Sequence, residues 1–248
     1  MKRVLGLLAG ASLSLAMGCA QSYDIRVERT IQNMLYRRDL DNNTEAPPAK
    51  SNLETLKIYL RAPKGLKGPA TQFAYAVEPG KFDATDTFIA TGEKPASLHI
   101  LARSNAAKAP AKKAPGPQGP EQPAPTPRGD FVADVLDFLK MTYSTEEFTA
   151  AKLKPVDPNA HGRKGVSYKG ATVDLGDRQV MVRFHGDKNS PTQVALIFEG
   201  SKEALRALSS QIDYSLNSLV LGPRAAALYS GQDEVTDEDT DTAAPAAF

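Results

Sequence analysis

The sequence predicts an α+β fold in which an antiparallel β-sheet is covered by helices, and three observations carry that expectation. Apolar residues alternate with period two at Leu56, Ile58 and Leu60 and again at Phe73, Tyr75 and Val77, the spacing of half-buried strands. Three further apolar runs, 166–174, 178–185 and 192–199, are separated by the turn formers Gly176-Asp177 and Gly186-Asp187-Lys188-Asn189, as in an antiparallel meander. Two segments instead space their apolar residues as one face of a helix does, around Phe131, Val135, Phe138 and Leu139 and through Leu205, Leu208, Ile212, Leu216 and Leu219. Such a sheet needs helices to cover its apolar faces.

Taken in chain order, residues 22–40 alternate at Tyr23, Ile25 and Val27 and then space Ile31, Met34 and Leu35 helically, which leaves strand and helix both open. Residues 41–51 are polar with Pro47-Pro48, a linker or loop. Strands are expected near 56–60 and 73–77, with shorter ones at 88–91 and 98–102 in the same sheet. From 106 to 129 the composition falls to Ala, Lys, Gly, Gln and Pro, with prolines at 110, 115, 117, 120, 123, 125 and 127, so neither helix nor ladder persists. This reads as an extended, disordered insertion. Its Lys108, Lys112, Lys113 and Arg128 against Glu121 suit a solvated spacer or an arm touching an anionic surface.

Asp130 is positioned to cap a helix over 130–143. The run Val194 to Phe198 is apolar without alternation, the pattern of a central strand covered on both faces. Ser201 can cap the following helix, Glu203 suits its positive end and Gly222-Pro223 stops it. One α+β domain is therefore expected over 51–222, interrupted by the insertion. Residues 223–248, with Asp233, Glu234, Asp237, Glu238, Asp239 and Asp241 and almost no large apolar residues, are expected to form a disordered acidic tail.

The amino terminus carries a separate signal. Lys2 and Arg3 precede an apolar run from Val4 to about Ala16, and the small residues Gly18 and Ala20 flank the single Cys19, the pattern of a secretory signal with its cleavage site. The run is shorter than the roughly 20 apolar residues that span a bilayer. Leu15-Ala16-Met17-Gly18-Cys19 resembles the lipobox of bacterial lipoproteins, with Ala16 where Leu is commonest. The resemblance implies a signal peptide over 1–18, a diacylglycerol on the Cys19 thiol, and an acyl chain such as palmitate on the new amine. Residues 19–50 would be the lipidated N-terminal segment and linker. Two or three chains supply stable anchoring, since each buried methylene contributes about 0.8 kcal/mol. Uncharged Ala20 leaves the inner and the outer membrane both open.

The stretch from Gln193 to Gly222, QVALIFEGSKEALRALSSQIDYSLNSLVLG, resembles the last strand and helix of PsbP-like α/β/α sandwich proteins, over about 51–222. Members of that fold mostly act as binding or assembly factors. No motif of theirs transfers to a numbered residue here, and fold alone assigns no function.

Composition narrows the chemistry. Among 248 residues, 30 Lys+Arg stand against 29 Asp+Glu, so no basic excess is present for nucleic acid. One Cys removes a disulfide framework and multi-Cys zinc. The lack of Trp, with 7% aromatics, argues against a stacking groove. The neutral-pH acid-base candidates are His99, His161 and His185. His99 sits in a strand-like SLHIL segment and is expected to hold a structural or a surface position. A metal site from His161, His185 and Asp187 is conceivable, although no HxH or HxxxH spacing fixes two ligands. Ser167 in Gly165-Val-Ser167-Tyr-Lys-Gly170 has an extra residue relative to GxSxG and begins a strand. Glu146-Glu147 has no acidic partner assigned opposite it. Asp39, Asp41 and Asn43, like Asp237, Asp239 and Asp241, start a calcium-loop spacing, but Thr44 or Thr242 replaces the Gly and Lys50 or Phe248 the final Glu. No phosphate cradle is present.

The expected function is therefore that of a lipid-anchored cell-envelope protein acting as a non-catalytic binding or assembly module. Its expected contacts are membrane lipid through acylated Cys19 and an envelope protein or polymer, without cofactor, metal or nucleic acid. The alternative is an envelope hydrolase or metal-dependent enzyme using the His161 and His185 region. A third reading is a tethered spacer between membrane and wall.

Overall fold

The computed structural model describes residues 23, 25–48, 51–90, 95–105, 129–158 and 166–230. The expected signal peptide with Cys19, nearly all of the Pro-rich insertion, His161 and the acidic run after 230 lie outside them. The chain divides into one unit ending at Asn42 and another beginning at Asn43.

The first unit resolves the strand-or-helix alternative in favour of helix: residues 25–43 form α1. Tyr23, Val27, Ile31 and Met34 recur at three- and four-residue intervals and so share one face. All four are exposed, Met34 by 66% and Ile31 by 49%. Among the described residues no helix is long and apolar enough to cross a membrane.

The second unit is α+β and rests on a six-stranded sheet of order β2-β3-β7-β6-β5-β4. The strands are β2 (Ala84–Ala90), β3 (Ala96–Ser104), β4 (Lys154–Val156), β5 (Tyr168–Leu175), β6 (Arg178–His185) and β7 (Thr192–Ser201), each neighbouring pair antiparallel. The expected meander is β5-β6-β7, with Gly176 at φ 69° and Gly186 at φ 88° in its turns. β7 is central, and its residues 193–200 are all buried. Because side chains alternate, the sheet serves two cores. Leu98, Ile100, Leu196, Phe198 and Tyr168 meet Leu205, Ile212 and Leu216 on one face. Leu101, Val180, Val182 and Ile197 meet Phe131, Val135 and Leu139 on the other.

The second face is covered by α3 (Phe131–Tyr143), capped as expected by Asp130, whose side chain accepts from the Val132 N–H at 2.9 Å. The first is covered by α4 (Lys202–Ala207) and α5 (Ser209–Asn217). Ser201 caps α4 through the Ala204 N–H. The single long helix expected there is divided at Leu208, where ψ is 4°. Ser209-Ser210 follows the break, and paired serines favour such bends because their hydroxyls compete for backbone groups.

Three expectations change. The 56–60 strand is a short helix α2 (Asn52–Thr55), a turn, and β1 (Ile58–Tyr59), which pairs with β8 (Val220–Leu221) in a separate two-stranded sheet. Residues 73–77 form no strand; Phe73, Tyr75 and Val77 pack onto the α3-side core without ladder bonds. Gly222-Pro223 does not end the folded part. Proline is suited to the first helical position, and α6 (Pro223–Tyr229) follows, with Ala225 buried and the Tyr229 hydroxyl donating to the Ile58 carbonyl at 3.0 Å.

Both edges of the sheet are occupied or short. Beside β2, the Lys67 and Ala70 N–H groups donate to the Ile89 and Thr87 carbonyls at 2.9 and 2.8 Å. At the other edge β4 has three residues with Pro155 in the middle, a position that only an edge strand tolerates.

Candidate functional site

Of the residues selected from the sequence, those that the structure describes make separate local contacts. His185 ends β6, with its Nδ1 3.1 Å from the Ser167 carbonyl and its ring 5.7 Å from that of Tyr168. Asp187 organises its own turn, accepting from the Asn189 N–H at 2.9 Å and the Ser190 hydroxyl at 3.0 Å; these bonds hold its carboxyl below the ordinary value. Glu146 and Glu147 pair with Lys140 and Lys152. No group of three potential metal ligands occurs among the described residues.

Sequence reasoning missed the partners of His99. On the α3 face Glu199 of β7 accepts hydrogen bonds from the hydroxyls of Tyr75 and, at 2.8 Å, Tyr143. His99 Nε2 stands 3.7 Å from the same carboxylate, and Arg178 Nη1 reaches its other oxygen at 3.1 Å. The imidazole is fixed by the hydroxyls of Thr87 at 3.1 Å and Ser97 at 2.9 Å and by the Tyr75 ring, 4.9 Å away. Burial works to raise the Glu199 carboxyl, but the neighbouring His99 imidazole and the hydrogen bonds from Tyr75 and Tyr143 outweigh it and hold the group at about 2. Burial, with the adjacent carboxylate, pushes Tyr75 up to about 12 and Tyr143 well above its ordinary value. Glu199 is thus held ionised and the two tyrosines protonated, which suits a lock between β3, β7 and α3.

A second buried ion, Arg103, sits on the same face. Its guanidinium donates to Asp134 Oδ2 at 2.5 Å and to the Lys81 and Gly129 carbonyls at 2.9 and 3.0 Å, and packs against the rings of Phe82 and Phe131. It ties β3 to the start of α3.

A concave feature lies on the opposite face. A cleft of about 480 Å³ opens where α4 and α5 cross the β4–β6 side of the sheet, a size suited to small ligands. Val156, Met181, Leu205, Ile212 and Leu216 supply apolar walls, and Arg183, Lys202, Arg206, Asp174 and Asp213 supply charge. Lys202 and Asp174 pair at 2.9 Å. Arg183 lies along β6, and its Nη1 donates to the Ala171 and Val182 carbonyls, both at 3.0 Å. Burial holds its guanidinium below the ordinary value and pushes the Asp213 carboxyl up.

Gly170 makes room for this arginine: a Cβ there would stand 2.5 Å from the Val182 carbonyl oxygen and 2.7 Å from Arg183 Cδ. Gly170→Ala is therefore expected to cost about 1–3 kcal/mol by overpacking, read as a lower urea midpoint with an unchanged m-value. Wild-type stability in that variant would show that the arginine is not confined there.

Comparison with protein-family models and with curated proteins finds no match to the chain.

Proposed function

We propose that this is an exported, lipid-anchored cell-envelope protein whose α+β domain serves as a non-catalytic binding or assembly module. The observation that carries the anchored reading is the exposed apolar face of α1, Tyr23, Val27, Ile31 and Met34, beginning four residues after Cys19 of the lipobox-like segment. An amphipathic helix at that distance from acyl chains is suited to lie in the headgroup layer. The binding role is supported by the cleft, whose arginine keeps its charge at neutral pH and so is built for recognition rather than proton transfer. Helices on both faces of an antiparallel sheet, with the 193–217 strand-helix unit beside its centre, support a PsbP-like sandwich as the finer description of the fold.

The test is metabolic labelling with a palmitate analogue and membrane fractionation. Cys19→Ala is expected to abolish the label and release most of the protein from membranes. Adding Ile31→Glu and Met34→Glu is expected to remove the residual association. Undiminished labelling or full membrane retention of Cys19→Ala would overturn the anchored reading. Crosslinking in intact cells through a tag after Phe248 then asks whether an envelope partner is held.

A further inference from the structure

We propose that the cleft between β5–β6 and α4–α5 binds a small organic carboxylate with an apolar body, its head held by Arg183 and its body by Met181, Leu205, Ile212 and Leu216. This deepens the binding-module reading and rests on it.

The donors of Arg183 are unevenly used. Nη1 is taken by two carbonyls, whereas Nη2 makes one long contact to Met181 Sδ at 3.8 Å. Nε is buried with no hydrogen-bond partner. The Nε–Nη2 edge is one of the edges through which a guanidinium grips a carboxylate with two parallel N–H···O bonds. Among the described residues no carboxylate comes within ion-pair distance of it. A thioether is a weak acceptor on an unbranched, adaptable side chain, so an incoming carboxylate can displace Met181 from Nη2 and satisfy Nε after a small turn of the guanidinium.

Charge selects the ligand class. Arg183, Lys202 and Arg206 against Asp174 and Asp213 leave one positive charge in the cleft. That complements a carboxylate better than a phosphate monoester, which carries close to two charges at neutral pH. Arg206 is exposed at the rim, where it can draw the anion in. The apolar walls favour a ligand with a short aliphatic body over a free inorganic anion.

The experiment is isothermal titration of the full chain reconstituted in nanodiscs of neutral lipid, with the Cys19→Ala chain in plain buffer alongside. The probes are hexanoate and N-acetyl-L-leucine, which separate a fatty-acid source from an amino-acid one. Their amides, hexanamide and N-acetyl-L-leucinamide, are the controls. At least one carboxylate is expected to bind both preparations equally and its amide at least ten-fold more weakly. Arg183→Lys, which keeps the charge and loses the fork, is expected to weaken binding about ten-fold. Arg206→Glu, exposed and harmless to folding, is expected to weaken it about three-fold or more at low salt. Absence of carboxylate binding, equal binding of the amides, or wild-type affinity in both arginine variants would overturn the proposal. None of those results bears on anchoring, which the Cys19→Ala fractionation decides separately.

Discussion

Arg103→Ala is expected to lower the free energy of unfolding by about 3–5 kcal/mol, the range for breaking a buried ion pair by removing one partner. Arg103 is 1% exposed, and alanine there abandons three acceptors at once: Asp134, the Lys81 carbonyl and the Gly129 carbonyl. It also leaves a cavity beside Phe82 and Phe131. Because the Asp134 side chain is 19% exposed and can regain some water, the charge component falls in the lower part of that range, and the cavity adds to it. Arg103→Met, which keeps the bulk against the rings, is expected to recover part of the loss. Urea unfolding of the three proteins decides the matter, and a change under about 1 kcal/mol for Arg103→Ala would refute the role assigned to this ion.

The second large effect concerns acid. Glu199 is held at about 2 in the folded protein against an ordinary 4.5. A carboxyl with a depressed folded-state value contributes stability that is complete above the ordinary value and is lost as the pH falls through it toward 2. The difference corresponds to about 3 kcal/mol. Unfolding free energy should therefore fall by that order between about pH 5 and pH 2. Glu199→Gln should be less stable at pH 7 by about 2–3 kcal/mol and should show a flatter acid limb. An acid limb as steep in Glu199→Gln as in the wild type would assign the effect to other carboxyls. At the alkaline end the sign reverses: Tyr75, raised to about 12, keeps its proton longer folded than unfolded, so stability declines as the pH rises from 10 toward 12.

The meander and α3 were legible because period and turn chemistry agree there: Gly176 and Gly186 occupy left-handed turn positions and Asp130 caps its helix. The 73–77 alternation misled because alternation reports which side chains are buried, not which backbone groups pair. Phe73 and Tyr75 are half-buried against Phe138 and His99, while residues 67–70 already occupy the ladder beside β2. Pro223 carried two meanings, stop and start, and the contacts of Tyr229 with the Tyr59 ring and the Ile58 carbonyl favour the second. Of the candidate site residues, His99 lies in β3, the strand its SLHIL segment suggested, and is buried there. Its partner Glu199 was hidden because a single acidic residue at the end of an apolar strand looks like a strand terminus. Arg183 was hidden for a related reason. Its partner in packing, Gly170, lies 13 positions away, and only the register between β5 and β6 places them opposite one another.

The occupied edges of the sheet bear on crowding. Copies tethered to one lipid surface meet at far higher effective concentrations than copies free in solution, and an open strand edge would then template its neighbours. Residues 67–70 fill the ladder beside β2, and Pro155 withholds a donor from the outer side of β4. On the lipid-anchored reading proposed above, neighbouring copies would therefore crowd together without one sheet growing into the next.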